Sequence, residues 1–345
     1  MKITDVWGVI PTGTNEPPDW RTAMAQFLAV VETDRGLIGT GVGGGGVAAL
    51  HIIDTVLREV LIGRDPRDLE AIWDAMYRAT HHFGRKGLAV MTLSGIDLAL
   101  WDLVGKAEGK PVYELLGGKK HDRVPTYASL GATVGDEIER GFRHIKLHMP
   151  PVTEHPDEIV DLVRAGREAI GPDIPLYLDP ATRWTRADCD YLFAALEPFD
   201  IGWIEEPLLA DDLDGHRALR DRFAIPVAGG EHEFTAWGYR EIAAKQALDV
   251  WQPDACWVGG MTVMKQVFEL GQASGAWVVP HRGCEVWGLH AIVALADRPL
   301  AETGRPWVTW VRDEPVVRDG WIEPPSGPGF GVTFDEALLT RPSRG

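Results

Sequence analysis

Cysteine is scarce in this chain of 345 residues: Cys189, Cys256 and Cys284 are odd in number and widely spaced. That pattern suggests neither a disulfide framework nor a zinc cluster, and it fits a reducing cytoplasm. Positive charge is also short. Lys and Arg number 34 against 51 Asp and Glu, for a net charge of −17. Such a chain does not neutralise phosphate in bulk, so neither nucleic acid nor a membrane is expected as a partner. An anionic substrate must then be attracted locally, by a metal or by a few cations. No run approaches about 18 consecutive apolar residues, so no membrane span is expected. The N-terminus, MKITDVWGVI, lacks an apolar signal core and a cleavage site, and no secretory signal is expected. The glycine-rich stretch 36–46 has no Lys-Ser/Thr after it and no βαβ context. It is expected as a mobile loop over a site rather than a phosphate cradle.

What is present is an ordinary globular composition, 45% hydrophobic and 25% charged, ample for a large core. Residues 1–10 and 26–33 read as strands of a small antiparallel sheet, joined by a Pro-rich loop. Helical periodicity follows in 50–63, in 69–83 and in 91–109, with Ser94 as a possible cap and Gly109 as the stop. Beyond about residue 120, eight strand-like runs appear: 124–130, 142–149, 174–179, 201–206, 225–231, 249–254, 276–281 and 298–302. Helical segments separate several of them, though none is clear between the first two runs or the last two. The reading is an α/β fold: a modified (β/α)8 TIM barrel at 121–315, behind an α+β N-terminal capping domain at 1–120. A tail at 316–345 is expected to return to the capping domain.

Three acids stand at equal intervals of 26 residues: Asp179 in LYLDP, Glu205 in WIEEP and Glu231 in AGGEH. Each follows an apolar run, and the interval is what one strand, loop and helix consume. Three carboxylates therefore end three successive parallel strands on one face, a donor set suited to a hard divalent cation. Mg2+ is favoured over zinc, because His and Cys do not cluster with these acids. In IEEP either Glu205 or Glu206 faces the metal, and the other points away to orient a neighbour. Asp254 and His281 end the next two strands, a carboxylate to fix the tautomer of a basic imidazole. Strand alternation puts Lys146 and His148 on one face, as a substrate anchor and a second acid/base. Glu302 is placed to hydrogen-bond an oxyanion if protonated, or to coordinate through water. His232 points away from Glu231 if the chain is extended there, and touches substrate. His81 and His82, on a helix, are read as structural, and Trp101, Trp203, Trp251, Trp257 and Trp277 as core.

Together these residues resemble the enolase superfamily, in its mandelate racemase subgroup, over nearly the whole chain. SGIDLALWDLVGKAEGKPVYELLGG (94–118) is similar to the segment joining cap to barrel, and LDP, WIEEP, GGEH, QPD and VVPH follow in the family's order. The resemblance implies Mg2+ ligands at Asp179, Glu205 and Glu231, a His281–Asp254 acid/base dyad, and Glu302 near the substrate carboxylate. GGEHEFTAWGYRE and DVWQPDACWVGGMT are similar to L-rhamnonate dehydratases and related acid-sugar dehydratases. There are departures. The family's Lys-x-Lys is here Lys146-Leu-His148, IKLHMP matches the Lys-Met-Pro stretch only loosely, and Ala181 stands where many relatives have Asn. The expected activity is Mg2+-dependent loss of water from a sugar acid, by a cytoplasmic homo-oligomer. The alternatives are a racemase, epimerase or cycloisomerase using the same enediolate, and a non-catalytic binding protein on the same barrel. The loops at 11–22 and 40–48 are expected to read the distal hydroxyls.

Overall fold

The computed structural model describes residues 1–11 and 20–341. Three antiparallel strands, β1 (Ile3–Val9), β2 (Phe27–Thr33) and β3 (Ile38–Gly43), form the first sheet in that order. Their β-branched and apolar residues pack on helix Leu88–Glu108, which is buried almost all round. This helix is long and apolar enough to cross a membrane, but here 89% of its apolar window is buried inside the fold. The glycines of β3 explain how it fits. Gly39, Gly41 and Gly43 share one face of the strand. A Cβ on Gly39 or Gly41 would lie 2.1 or 2.3 Å from the carbonyl oxygens of Ala99 and Gly95. Only hydrogen at those positions lets strand and helix backbones approach so closely.

The four glycines at 43–46 are not the mobile loop expected. They are buried, and Gly46 opens helix Gly46–Ile52. Ser94 is likewise not a cap. It lies inside Leu88–Glu108, donates back to the Val90 carbonyl at 2.9 Å, and accepts the N–H of Gly259. Gly109 ends the helix as expected, in the left-handed conformation that glycine allows.

The eight expected barrel strands all form, most of them shorter at their ends than the apolar runs suggest. They are β4 (Val124–Leu130), β5 (Ile145–His148), β6 (Leu176–Asp179), β7 (Ile201–Glu205), β8 (Val227–Gly229), β9 (Val250–Trp251), β10 (Trp277–Val278) and β11 (Ala301–Glu302). They pair in parallel in the order β10-β9-β8-β7-β6-β5-β4-β11. No helix joins β4 to β5. A helix does join β10 to β11, Val286–Leu295. It was not legible because it is buried all round and has no polar face to mark its period.

Alternation along the strands builds the barrel's interior. Two residues before Asp179 stands Tyr177, and two before Glu205 stands Trp203. The two rings stack at 3.5 Å and join Tyr127, Ala228, Val250, Val279 and Leu300 in a buried plug. The acids thus sit directly above an aromatic floor, at the C-terminal ends of the strands, where barrel enzymes carry their sites. The end of the chain runs back to the first sheet's helix. Phe330 donates its N–H to Asp102 at 3.0 Å, and Val112 donates to the Gly329 carbonyl at 2.8 Å.

Candidate active site

Lys146 is the hub. Its stem is enclosed by the barrel, and its ammonium lies 2.6 Å from Glu205, 2.7 Å from Glu302 and 3.4 Å from Asp179. Burial works against the charge on Lys146, but Glu205 and Glu302 outweigh it and hold its pKa well above the usual lysine range. Glu205 is further fixed by Gln252 of the next-but-one strand and by the Trp203 indole at 3.4 Å. His148 shares the inward face of β5 with Lys146, as alternation requires. Its Nδ1 is 3.1 Å from Asp179 and its Nε2 is 3.2 Å from the Ser129 hydroxyl.

The second group gathers around His281. Its Nδ1 is 3.0 Å from Asp254, while its Nε2 faces Glu231 at 3.2 Å and Glu302 at 3.9 Å. Asp254 also accepts the Cys256 N–H at 2.7 Å, which fixes its orientation. Burial, helped by the positive charge of Arg282, pushes the His281 pKa well below the usual histidine value. The imidazole is therefore neutral at neutral pH, the state a base requires.

His232 is where the extended-chain expectation fails. Residues 231–232 form a turn, so His232 does not point away from Glu231: its Nε2 lies 3.7 Å from that carboxylate. Its Nδ1 is 2.6 Å from Glu206, the second acid of IEEP, which points away from Lys146. Burial opposes the imidazolium, but the Glu206 hydrogen bond and charge raise the His232 pKa to about 9.

In the metal-free protein Glu302 favours the ionised form. Burial raises its carboxyl, but Lys146, His281 and the Arg282 N–H outweigh burial and hold it at about 2. An ionised carboxylate accepts hydrogen bonds and cannot donate one to an oxyanion. Histidines do cluster with the acids after all: His148, His232 and His281 each contact one, from three different strands or loops. His81 and His82 lie past the end of helix Leu69–Thr80 and are exposed, far from any core role. Trp101, Trp203, Trp251 and Trp257 are buried as expected, and Trp277 is half-buried. Trp257 does more than fill space, since its ring stands 5.9 Å from His232 and 5.8 Å from His281.

A divalent cation fits this donor set. Burial pushes Glu205 well above the usual carboxylate range even against Lys146. Burial and the nearby Glu206 raise Glu231 to about 8. Asp179, Glu205 and Glu302 crowd around a single lysine, with Glu231 beside His281, and that concentration of buried carboxylates is what a hard cation relieves.

Comparison with known proteins then decides the family. Residues 130–338 match the enolase C-terminal domain-like family, and residues 20–117 match the mandelate racemase / muconate lactonizing enzyme N-terminal domain. The chain belongs to the mandelate racemase group of the enolase superfamily. An L-rhamnonate dehydratase of Saccharopolyspora erythraea is 36% identical to it, over 94% of this chain and 89% of that protein. The solved rhamnonate dehydratase of Gibberella zeae, complexed with Mg, superposes with a TM-score of 0.88 at 29% identity, covering 98% of this chain and 95% of the other. The 3,6-anhydro-D-galactonate cycloisomerase of Zobellia galactanivorans gives 0.87 at 29% identity, covering 98% of each. Membership in this superfamily agrees with the barrel and the antiparallel first sheet.

Several residues that build this superfamily member's site were not found from sequence. Gln252 shares strand parity with Asp254, a signal that was available. Ser129, one residue before the end of β4, pairs with Lys146 of β5. Arg282 adopts φ 54°, which nothing in the sequence marks.

Proposed function

We propose that this protein is a hydro-lyase, a Mg2+-dependent dehydratase of a sugar acid of the aldonate type, close to L-rhamnonate in kind. Asp179, Glu205 and Glu231 would hold the cation, and when bound it supplies Lewis-acid stabilisation of the second negative charge that a carboxylate gains on losing its C2 proton. Lys146 binds the substrate carboxylate, its ammonium fixed by Glu205 and Glu302. His281 takes the C2 proton at Nε2, while Asp254 holds the opposite nitrogen and stabilises the imidazolium. The resulting enediolate expels the 3-hydroxyl. His281 returns its proton to that leaving oxygen, so that water departs from the face that lost the proton. The enol tautomerises to a 2-keto-3-deoxy acid. His148 stands on the other side as the candidate second acid/base, Glu302 lies near the substrate carboxylate as an acceptor, and His232 contacts the substrate.

The observation that carries this reading is the neutral, Asp254-bound His281 directed into a ring of carboxylates around one lysine. The supporting relatives are a rhamnonate dehydratase by sequence and another by structure. The experiment is a screen of aldonates for 2-keto acid formation in deuterated water, with wild type and His281→Asn. Keto acid from wild type, and its loss in the variant, is the expected result. Full turnover in His281→Asn would sink the base assignment. The cycloisomerase neighbour keeps one alternative in view: C2 deuterium exchange without keto acid would mean a racemase, epimerase or cycloisomerase instead.

The chain divides, in this reading, into a capping domain at 1–120, a catalytic barrel at 121–315 and a tail at 316–345 that returns to the cap. Three buried free cysteines suit a reducing cytoplasm. Exposed Trp237, stacked on Tyr77, offers an aromatic surface for association with further copies, which light scattering measures directly. The loop at 11–22, expected to read distal hydroxyls, lies largely outside the described residues. The 40–48 segment reaches the site through Gly44, which packs against Trp257.

A further inference from the structure

A second cation stands beside the base. Arg282 follows His281 directly and takes φ 54°, the left-handed region that residues with side chains avoid. Such outliers collect at functional sites. The Arg282 N–H donates to Glu302 at 2.9 Å, which pins the turn. Its guanidinium lies 4.7 Å over the Trp257 ring, the same ring that stands between His232 and His281. Trp257 in turn donates to the Ala25 carbonyl of the first domain at 3.3 Å. The cation is therefore wedged into the site wall where barrel and cap meet, with its side chain only 10% exposed.

A guanidinium carries five N–H donors. Here one is used, Nη1 to Asp254 at 3.4 Å, a long contact to the oxygen that His281 already occupies. Nε and Nη2 donate to nothing among the described residues. An arginine with donors left over, held in a strained turn with its side chain 10% exposed, is available to a partner that arrives from outside. The charge state narrows the choice. Asp254 already faces the guanidinium, and Glu302 already accepts the Arg282 N–H. Neutral oxygens suit the free N–H groups better than a second carboxylate.

We propose that Arg282 is a substrate-binding residue that reads hydroxyl oxygens of the sugar acid beyond C3. The inference rests on the sugar-acid reading of the site and adds the residue that selects chain length. The stacked, planar fork is fixed by Trp257, so it recognises a defined arrangement of oxygens.

The test compares a six-carbon aldonate with glycerate, which lacks everything beyond C3, in wild type, Arg282→Met and Arg282→Lys. Turnover and C2 deuterium exchange give kcat/KM for each. Equilibrium titration of the same acids into His281→Asn, with and without Arg282→Met, gives binding free of turnover. Arg282→Met should cut the preference for the long acid over glycerate by about 10- to 100-fold, in both kcat/KM and affinity. Arg282→Lys, which keeps the charge and loses the fork, should fall between. Equal losses for both acids would make Arg282 a merely structural brace and overturn the proposal. A larger loss for a six-carbon aldarate than for the aldonate would overturn the hydroxyl assignment in favour of a carboxylate. Absence of keto acid from every substrate would instead sink the dehydratase reading, while the titrations still judge Arg282.

Discussion

Replacing Asp254 by Asn tests the site at its tightest constraint. In the wild type one carboxylate oxygen accepts from His281 Nδ1 at 3.0 Å and from Arg282 at 3.4 Å, and the other accepts from the Cys256 N–H at 2.7 Å. Asn offers one oxygen and one NH2. If the NH2 faces Cys256, two donors meet at a buried position, at a cost of about 1–3 kcal/mol. If it faces His281, the ring must switch tautomer so that Nδ1 accepts, which moves the proton to Nε2. A protonated Nε2 cannot take a proton from C2. In either orientation the negative charge that stabilises the imidazolium is gone. General acid–base catalysis contributes about 10²- to 10⁴-fold, equivalent to roughly 2.7–5.4 kcal/mol in the barrier. Asp254→Asn should therefore lower kcat by that factor, with KM changed only a few-fold. Stopped assays for 2-keto acid and NMR of C2 deuterium exchange measure the two steps, and both should fall together. If kcat stayed within tenfold of wild type, with exchange intact, the dyad would not be the base and the mechanism would fail.

The other predictions are independent of that one. Chelation should abolish turnover and lower the melting temperature, and Mg2+ should restore both. A ligand at 100 times its Kd adds about 2.7 kcal/mol, so a thermal scan that ignores chelator and Mg2+ alike would rule out the cation site. In metal-free protein, Glu206→Gln should drop the His232 pKa from about 9 toward or below the ordinary histidine value, read by NMR of the ring protons. An unshifted titration would remove Glu206 as its partner. Burial raises Asp97, which helix Leu88–Glu108 presents to Thr262, to about 7. A carboxyl raised in the folded state contributes stability fully below its unfolded pKa and loses it as pH climbs through about 7. The wild type should thus lose on the order of 4 kcal/mol between pH 4 and 7 relative to Asp97→Asn, whose amide mimics the protonated acid. Parallel pH profiles of denaturation midpoint for the two proteins would contradict it.

Much of this site was legible because barrels write their chemistry at regular intervals. Asp179, Glu205, Glu231, Asp254, His281 and Glu302 each close an apolar strand run, and parallel strands place their ends on one face. Lys146 and His148 followed from two-residue alternation alone. The errors share a cause as well. Ser94 looked like a cap because a hydroxyl before an apolar run does so locally, whereas its partner, Gly259, lies 165 residues away. The glycines at 43–46 looked mobile because their packing partners, Met91 and Trp257, belong to other elements. Helix Val286–Leu295 was invisible because a helix buried on every side carries no polar face.

The sequence by itself determined the number and order of the barrel strands, the order of the acids along the barrel and the family to which they point. These depend on chain-local hydrophobicity and on spacing, which a linear string records in full. Only the tertiary structure decided the protonation states and the pairings. The ionised Glu302, the neutral His281, the Glu206-bound His232 and the idle fork of Arg282 arise from burial and from charges brought together across many strands. A carboxyl, an imidazole or a guanidinium takes its chemistry from what stands within a few ångströms of it, and that distance exists only once the barrel has closed.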